Sequence, residues 1–167
     1  MNLILCGMMG CGKTTIGRKI AQNMGKCWVD TDDVITEKYG KIADVFAEHG
    51  EEYFRDLETE TIQALAQNDG LIISVGGGLV LRSKNTSLLK QNGKIVYLRA
   101  KIETLFSRLQ KDSERPLLQS SENLWARLTN LMAVRAPIYE DVADYKVDVD
   151  GKTPDEIVAE IAASVED

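Results

Sequence analysis

A single α/β domain built on a parallel sheet is the fold this sequence predicts. Three observations carry that prediction. Short apolar runs alternate with longer amphipathic stretches along the whole chain. Two of the runs, Leu3-Ile4-Leu5-Cys6 and Leu71-Ile72-Ile73-Ser74-Val75, are nearly continuous in apolar residues, as strands covered on both faces require. The first run ends in Gly7-Met8-Met9-Gly10-Cys11-Gly12-Lys13-Thr14, a glycine-rich turn that opens a helix. The 167 residues suit one domain, 1–167, large enough to bury a core without disulfide or metal staples.

The elements follow in order. Leu3 to Cys6 is the first strand, stopped by Gly7. Thr14 to Met24 is helical, with apolar Ile16, Ile20 and Met24 four apart. Lys26 to Val29 is a short strand running into Asp30-Thr31-Asp32. Helices are expected over 32–39 and 42–49, broken by Gly40 and Gly50, and over 51–67, where Tyr53, Phe54, Leu57, Ile62 and Leu65 make an apolar side. The third strand, 71–75, is stopped by Gly76-Gly77-Gly78, and a helix over 83–92 follows. Lys94 to Leu98 is the fourth strand, with a helix at 102–110 behind it. Residues 111–122 are polar, carry Pro116 and read as a mobile loop. A helix over 123–141 and a fifth strand over 145–149 complete the pattern before the last helix. There Thr153 suits the cap, Pro154 the first helical position and Glu156 a capping box.

Composition excludes several classes. No stretch approaches the ~18 apolar residues of a membrane span, and the N-terminus lacks the basic and apolar regions of a signal peptide. The net charge is −6, with 20 basic and 26 acidic residues and no basic run longer than two, which argues against a nucleic-acid partner. An anionic ligand would need a local arginine cluster working against the overall field. Cys6, Cys11 and Cys27 form no CxxC pair and no zinc spacing, and His49 cannot complete a metal site with them. An odd cysteine count without a leader fits a reducing cytoplasm.

The glycine-rich turn satisfies G-x-x-x-x-G-K-[ST]. Glycines let the backbone curl until successive N–H groups face one anion, and the helix behind presents its positive end to the phosphates. Lys13 reaches the β- and γ-phosphates and the Thr14 hydroxyl can ligate Mg²⁺. A guanine-reading Asn-Lys-x-Asp is absent, and Asp148-Val149-Asp150-Gly151 stands too late for a GTP switch. The third strand ends in glycines rather than in the acid a large ATPase would place there, and the nearest strand-end acid is Asp30. That compactness indicates a small kinase with a small acceptor. Asp30 and Asp32 lie two apart, which in an extended stretch puts both side chains on one side. Helix capping by an aspartate is the ordinary alternative, and Asp33 suits it better. Arginine's planar fork is the side chain that can bind a carboxylate bidentately. Glu58, three residues past Arg55, either holds that fork or is an ordinary surface pair. Phe46 and Phe54 either wall a pocket or belong to the core, and Trp28 and Trp125 read as packing residues.

Four blocks together resemble shikimate kinases: the phosphate loop; Asp30-Thr31-Asp32; Phe54-Arg55 with Gly76-Gly77-Gly78; and Arg115-Pro116-Leu117-Leu118 with Arg135-Ala136-Pro137-Ile138-Tyr139. The resemblance covers essentially the whole chain. It implies a three-layer P-loop fold with five parallel strands in the order 2-3-1-4-5 and a lid over about 111–122. It implies Mg-ATP-dependent phosphorylation of the 3-hydroxyl of shikimate, in the aromatic amino-acid pathway, by a cytoplasmic monomer.

The resemblance also assigns roles. Gly10, Cys11, Gly12, Lys13, Thr14 and Thr15 hold the nucleotide. Thr14 and Asp30 hold Mg²⁺, Asp30 through water, and Asp32 orients or deprotonates the acceptor hydroxyl. Arg55 and Arg135 take the carboxylate, and the backbone N–H groups of Gly76, Gly77 and Gly78 approach the substrate. Arg115 swings over the transferring phosphate, and Arg108 stacks on adenine with the 150–154 turn opposite. Cys11 needs no side-chain role, though it would expose the loop to thiol reagents. Two other readings compete: a kinase of another hydroxy acid such as gluconate, and a kinase-like regulator that no longer phosphorylates.

Overall fold

A computed structural model describes residues 1–111 and 121–166, apart from the side chains of Ser121 and Glu122. The expected lid, with Arg115, falls almost wholly on 112–120 and so lies outside the described residues. Five parallel strands form one sheet in the order β2-β3-β1-β4-β5. They are β1 (Asn2–Cys6), β2 (Cys27–Asp30), β3 (Leu71–Ser74), β4 (Gly93–Arg99) and β5 (Tyr145–Asp148). All five residues of the central β1 are buried, whereas the edge strands β2 and β5 alternate or stay half-buried. Helices on both faces cover the middle of the sheet, which is why only its central runs are continuously apolar.

The helices are α1 (Lys13–Met24), α2 (Thr31–Tyr39), α3 (Ile42–His49), α4 (Glu51–Leu65), α5 (Ser83–Gln91), α6 (Ile102–Gln110), α7 (Ser121–Val142) and α8 (Pro154–Glu166). A 3-10 turn, Leu79–Leu81, between β3 and α5 was not foreseen. In α1, Ile16 and Ile20 are buried but Met24 is exposed. At 100° per residue, each step of four rotates the face by about 40°, so the third member of an i, i+4 series leaves the buried stripe. Tyr53 also departs from expectation: it is exposed on α4 and packs on His49, ring centroids 4.4 Å apart. The cap of α8 forms as expected, Glu156 N–H donating to Thr153 Oγ1 at 3.2 Å.

Two apolar clusters hold these parts together. The larger lies on the sheet, and a smaller one of Ile35, Val45, Phe54 and Leu57 joins α2, α3 and α4. Phe46 and Phe54, 4.9 Å apart between ring centroids, belong to that smaller core. Buried polar side chains are spent on fastening the chain. Asn2 donates to the Asn68 carbonyl and accepts from Leu71 N–H, fixing the entry to β3. Asn85 donates to the Leu79 carbonyl and accepts from Thr59 Oγ1 at 2.7 Å, tying the turn after β3 to α4. β1 has β3 on one side and β4 on the other, so the chain leaves its C-terminal end at a topological switch point. The phosphate-loop motif and the triple glycine emerge there side by side.

Candidate active site

The loop after β1 wraps its own lysine. Lys13 Nζ donates to the Gly7 carbonyl at 2.6 Å and to the Met8 carbonyl at 3.3 Å, and Cys11 N–H donates back to Met8. Gly12 caps α1 with φ +107, a left-handed conformation that suits glycine, and no side chain caps the helix. The first N–H groups of α1 are therefore left for an anion. Thr14 and Thr15 are exposed on that first turn. Cys11 is buried, its Sγ packed against Gly7, so the thiol is shielded from thiol reagents rather than open to them. Arg108 of α6 crosses to the loop and donates to the Gly10 carbonyl at 3.0 Å.

The loop forms one wall of a cleft of about 640 Å³. Gly10, Cys11, Gly12, Lys13, Thr14, Thr15, Asp30, Asp32, Gly76, Gly77, Arg108 and Arg135 all line it, as do Lys152 and Pro154. The structure thus brings together all but three of the expected site residues. Gly78 and Arg55 lie just beyond the lining, packed against each other: a Cβ built on Gly78 would sit 2.5 Å from Arg55 Nη1. Arg115 falls outside the described residues.

Asp30 and Asp32 share the cleft for a different reason from the one the sequence offered. The segment is not extended: α2 begins at Thr31, and Asp30 is its cap, accepting from Asp32 N–H at 2.8 Å and from Asp33 N–H at 3.3 Å. The capping aspartate is therefore Asp30, and Asp33 lies in the first turn. Both N–H groups bond to Oδ1, which leaves Oδ2 of Asp30 free of them. Burial pushes the Asp32 carboxyl above the usual aspartate range, aided by Asp30, while Lys13 pulls it down.

Glu58 is resolved in favour of holding the arginine. It is 1% exposed and accepts from Arg55 Nη1 at 2.6 Å, while Glu51 takes Arg55 Nη2 at 3.3 Å. Its other oxygen, Oε2, is buried without a hydrogen-bond partner among the described residues. Asp32 Oδ1 and Glu58 Oε2 both face Gly76, where a Cβ would stand 2.9 and 3.2 Å from them. Burial raises the Glu58 pKa from its ordinary 4.5, against the opposing pull of Arg55. A carboxyl with a raised native pKa favours the fold at acid pH, and that contribution is lost as pH climbs through the native value. Glu58→Gln cannot titrate, so its stability should gain on the wild type between about pH 4 and about pH 8 in urea unfolding. A difference moving the other way would mean that Arg55 outweighs burial.

Several contributors were not singled out from the sequence. Thr31, fully buried inside the Asp30-Asp32 triplet, accepts from Gly76 N–H through Oγ1 at 3.1 Å and fastens the triple glycine to α2. Ser74 donates to the Lys13 carbonyl at 2.8 Å and accepts from Trp28 Nε1 at 2.9 Å, pinning the start of α1 to β3. Trp28 thus packs as expected and also carries this bond. Tyr139 reaches the Gly77 carbonyl. The positions of Thr31 and Tyr139 inside recognisable blocks were the available signal; Ser74 and Trp28 had none, because their partners are remote in sequence.

One cleft therefore holds the phosphate-loop motif, two aspartates and two arginines, Arg108 and Arg135. The family model for shikimate kinase matches residues 9–166. The chain belongs to the shikimate kinase family. It is 39% identical to the shikimate kinase of Sulfurihydrogenibium sp., over 98% of this chain and 97% of that one. Among solved structures, the shikimate kinase from Acinetobacter baumannii in complex with shikimate aligns at a TM-score of 0.89 with 35% identity, covering 99% of this chain and 92% of that one. A gluconokinase from Sinorhizobium meliloti aligns at 0.61 with 18% identity, which shows a common fold alone. The shikimate kinase reading is therefore favoured over the gluconate one.

Proposed function

We propose that this member of the shikimate kinase family transfers the γ-phosphoryl group of Mg-ATP to the 3-hydroxyl of shikimate, giving shikimate 3-phosphate and ADP. Family membership supports the reaction, and one observation carries the site: Arg135 and Asp32 line the same cleft as the phosphate loop. ATP lays its phosphates on the open start of α1, with Lys13 turning from the Gly7 and Met8 carbonyls toward the β- and γ-phosphates. Adenine stacks on Arg108 with the 150–154 turn opposite, a reading supported by Arg108 and Pro154 both lining the cleft.

The donor set fits Mg²⁺. Thr14 and Asp30 offer hard oxygens in one cleft, and no cluster of three acidic, histidine or cysteine side chains occurs among the described residues. Mg²⁺ commonly takes one or two protein oxygens, phosphates and water. When bound, it supplies neutralisation of the charge developing on the phosphates.

Arg55 and Arg135 hold the acceptor's carboxylate, so that its hydroxyl meets Asp32. Asp32 orients that hydroxyl and receives its proton as the oxygen bonds to phosphorus. A loose transition state demands little of the base, so orientation is its larger contribution. The decisive experiment is an ADP-release assay with Mg-ATP and, in turn, shikimate, quinate, gluconate, a nucleoside monophosphate and water. Fast release with shikimate alone is expected. Release with gluconate instead would keep a carboxylate clamp and reassign the acceptor to another hydroxy acid. Release with the nucleoside monophosphate would discard the clamp as a carboxylate site, and ATP binding without release to any acceptor would favour a regulator. Among the described residues no helix is long and apolar enough to cross a membrane.

A further inference from the structure

Tyr139 lies on α7, one helical turn beyond Arg135, and is fully buried. Its ring packs on Tyr97 of β4, centroids 5.1 Å apart at 44°. Its hydroxyl donates to the carbonyl of Gly77. Burial pushes that phenol well above the usual tyrosine range, so it stays a neutral donor at any working pH. A side chain is needed to satisfy a buried carbonyl, but this carbonyl has a particular place. It belongs to the peptide unit that ends in the N–H of Gly78.

A peptide unit is planar, so fixing its oxygen fixes the direction of its N–H. Among the described residues the Gly78 N–H has no protein acceptor, and it lies beside the Arg55 guanidinium. The same turn is crowded on its other side: a Cβ on Gly77 would meet Arg135 Nη1 at 2.8 Å, the Tyr139 hydroxyl at 3.5 Å and the Gly7 carbonyl of the phosphate loop at 3.8 Å. Gly76, one residue earlier, is held by Thr31 Oγ1, and the Gly78 carbonyl accepts from Leu81 N–H. Every peptide of the turn is thus pinned from one end, and the Gly77–Gly78 unit is pinned by Tyr139.

We propose that Tyr139 is a positioning residue for the acceptor: its hydroxyl sets the plane of the Gly77–Gly78 peptide so that the Gly78 N–H is presented to the substrate next to Arg55 and Arg135. The proposal rests on the functional reading above for the identity of the acceptor, but not for the orientation of the peptide. It also gives α7 two duties on one face, since residues four apart bring Arg135 and the Tyr139 hydroxyl to the same glycine.

Tyr139→Phe tests it, because the ring and its packing on Tyr97 remain and only the hydroxyl is lost. Two readouts are needed. In the free protein, the Gly78 amide resonance in a ¹⁵N spectrum should shift and broaden, as its peptide loses one anchor. In steady-state kinetics, the KM for shikimate should rise roughly 3- to 10-fold, the worth of one hydrogen bond, with the KM for ATP unchanged. A Gly78 amide that does not move overturns the proposal. So does a moved amide with both KM values unchanged or raised together, since a merely structural bond would lower the thermal midpoint without discriminating between substrates. The amide readout needs no acceptor, so it decides the peptide's orientation even if the panel assay rejects shikimate.

Discussion

Asp32→Ala should bind ATP as the wild type does and lose most of its turnover, by roughly 10²- to 10⁴-fold in kcat, the range spanned by a positioned acid or base. Lys13 and Arg108 keep their hydrogen bonds to the Gly7, Met8 and Gly10 carbonyls without the Asp32 side chain. α2 keeps its cap, because the cap bonds run from the backbone of Asp32 and Asp33 to Asp30. The fold therefore survives the substitution. What disappears is the carboxylate at Gly76, close to the glycine turn and to Lys13. Asp32→Asn adds a second reading, since its amide oxygen can still orient a hydroxyl but cannot take a proton at neutral pH. If orientation is the larger part, Asn should retain more activity than Ala. Calorimetric ATP titration and saturating kinetics check both. Near-normal turnover in Asp32→Ala would remove the residue from the mechanism.

Arg135→Ala should raise the acceptor KM roughly 10- to 100-fold, as expected for a hydrogen bond to a charged group, with little change in the KM for ATP. Arg55 is already engaged by Glu58 and Glu51, so part of its charge is neutralised before a substrate arrives. Arg135 differs. It lines the cleft, it is half-buried, and no carboxylate forms an ion pair with it among the described residues. In a chain of net charge −6, Arg135 adds to Lys13 and Arg108 in this cleft as a local attractor for an anion. Arg135→Lys should recover only part of the loss, because a point charge cannot bind a carboxylate bidentately. A weakened ATP KM with an unchanged acceptor KM would reassign Arg135 to the nucleotide.

The parts legible in the sequence share one property: they rest on local order. The phosphate loop is contiguous, its glycines and lysine being required at fixed spacing by the curl of one backbone segment. The alternation of buried strand and amphipathic helix is likewise written in nearest neighbours, and it was enough for the parallel sheet and all eight helices among the described residues. Spacing misled where it was carried too far. Met24 continued an i, i+4 series past the point at which the helix turns it outward, and Tyr53 was placed on a face it does not occupy. Asp30 and Asp32 were brought together by an extended geometry that the start of α2 replaces.

By itself, the sequence determined the fold class, the nucleotide loop and the family to which the chain belongs, because each depends on residue types at fixed separations. The tertiary structure alone decided that Glu58 is buried beneath Arg55, that Ser74 pins α1 to β3, that Phe46 and Phe54 are core, and that Tyr139 reaches Gly77. Ser74 and Tyr139 bond to residues 61 and 62 positions away, and the burial of Glu58, Phe46 and Phe54 depends on what packs over them. Whether a polar side chain is solvated or buried is settled only by what packs on it, and the packing partner leaves no mark at the residue's own position.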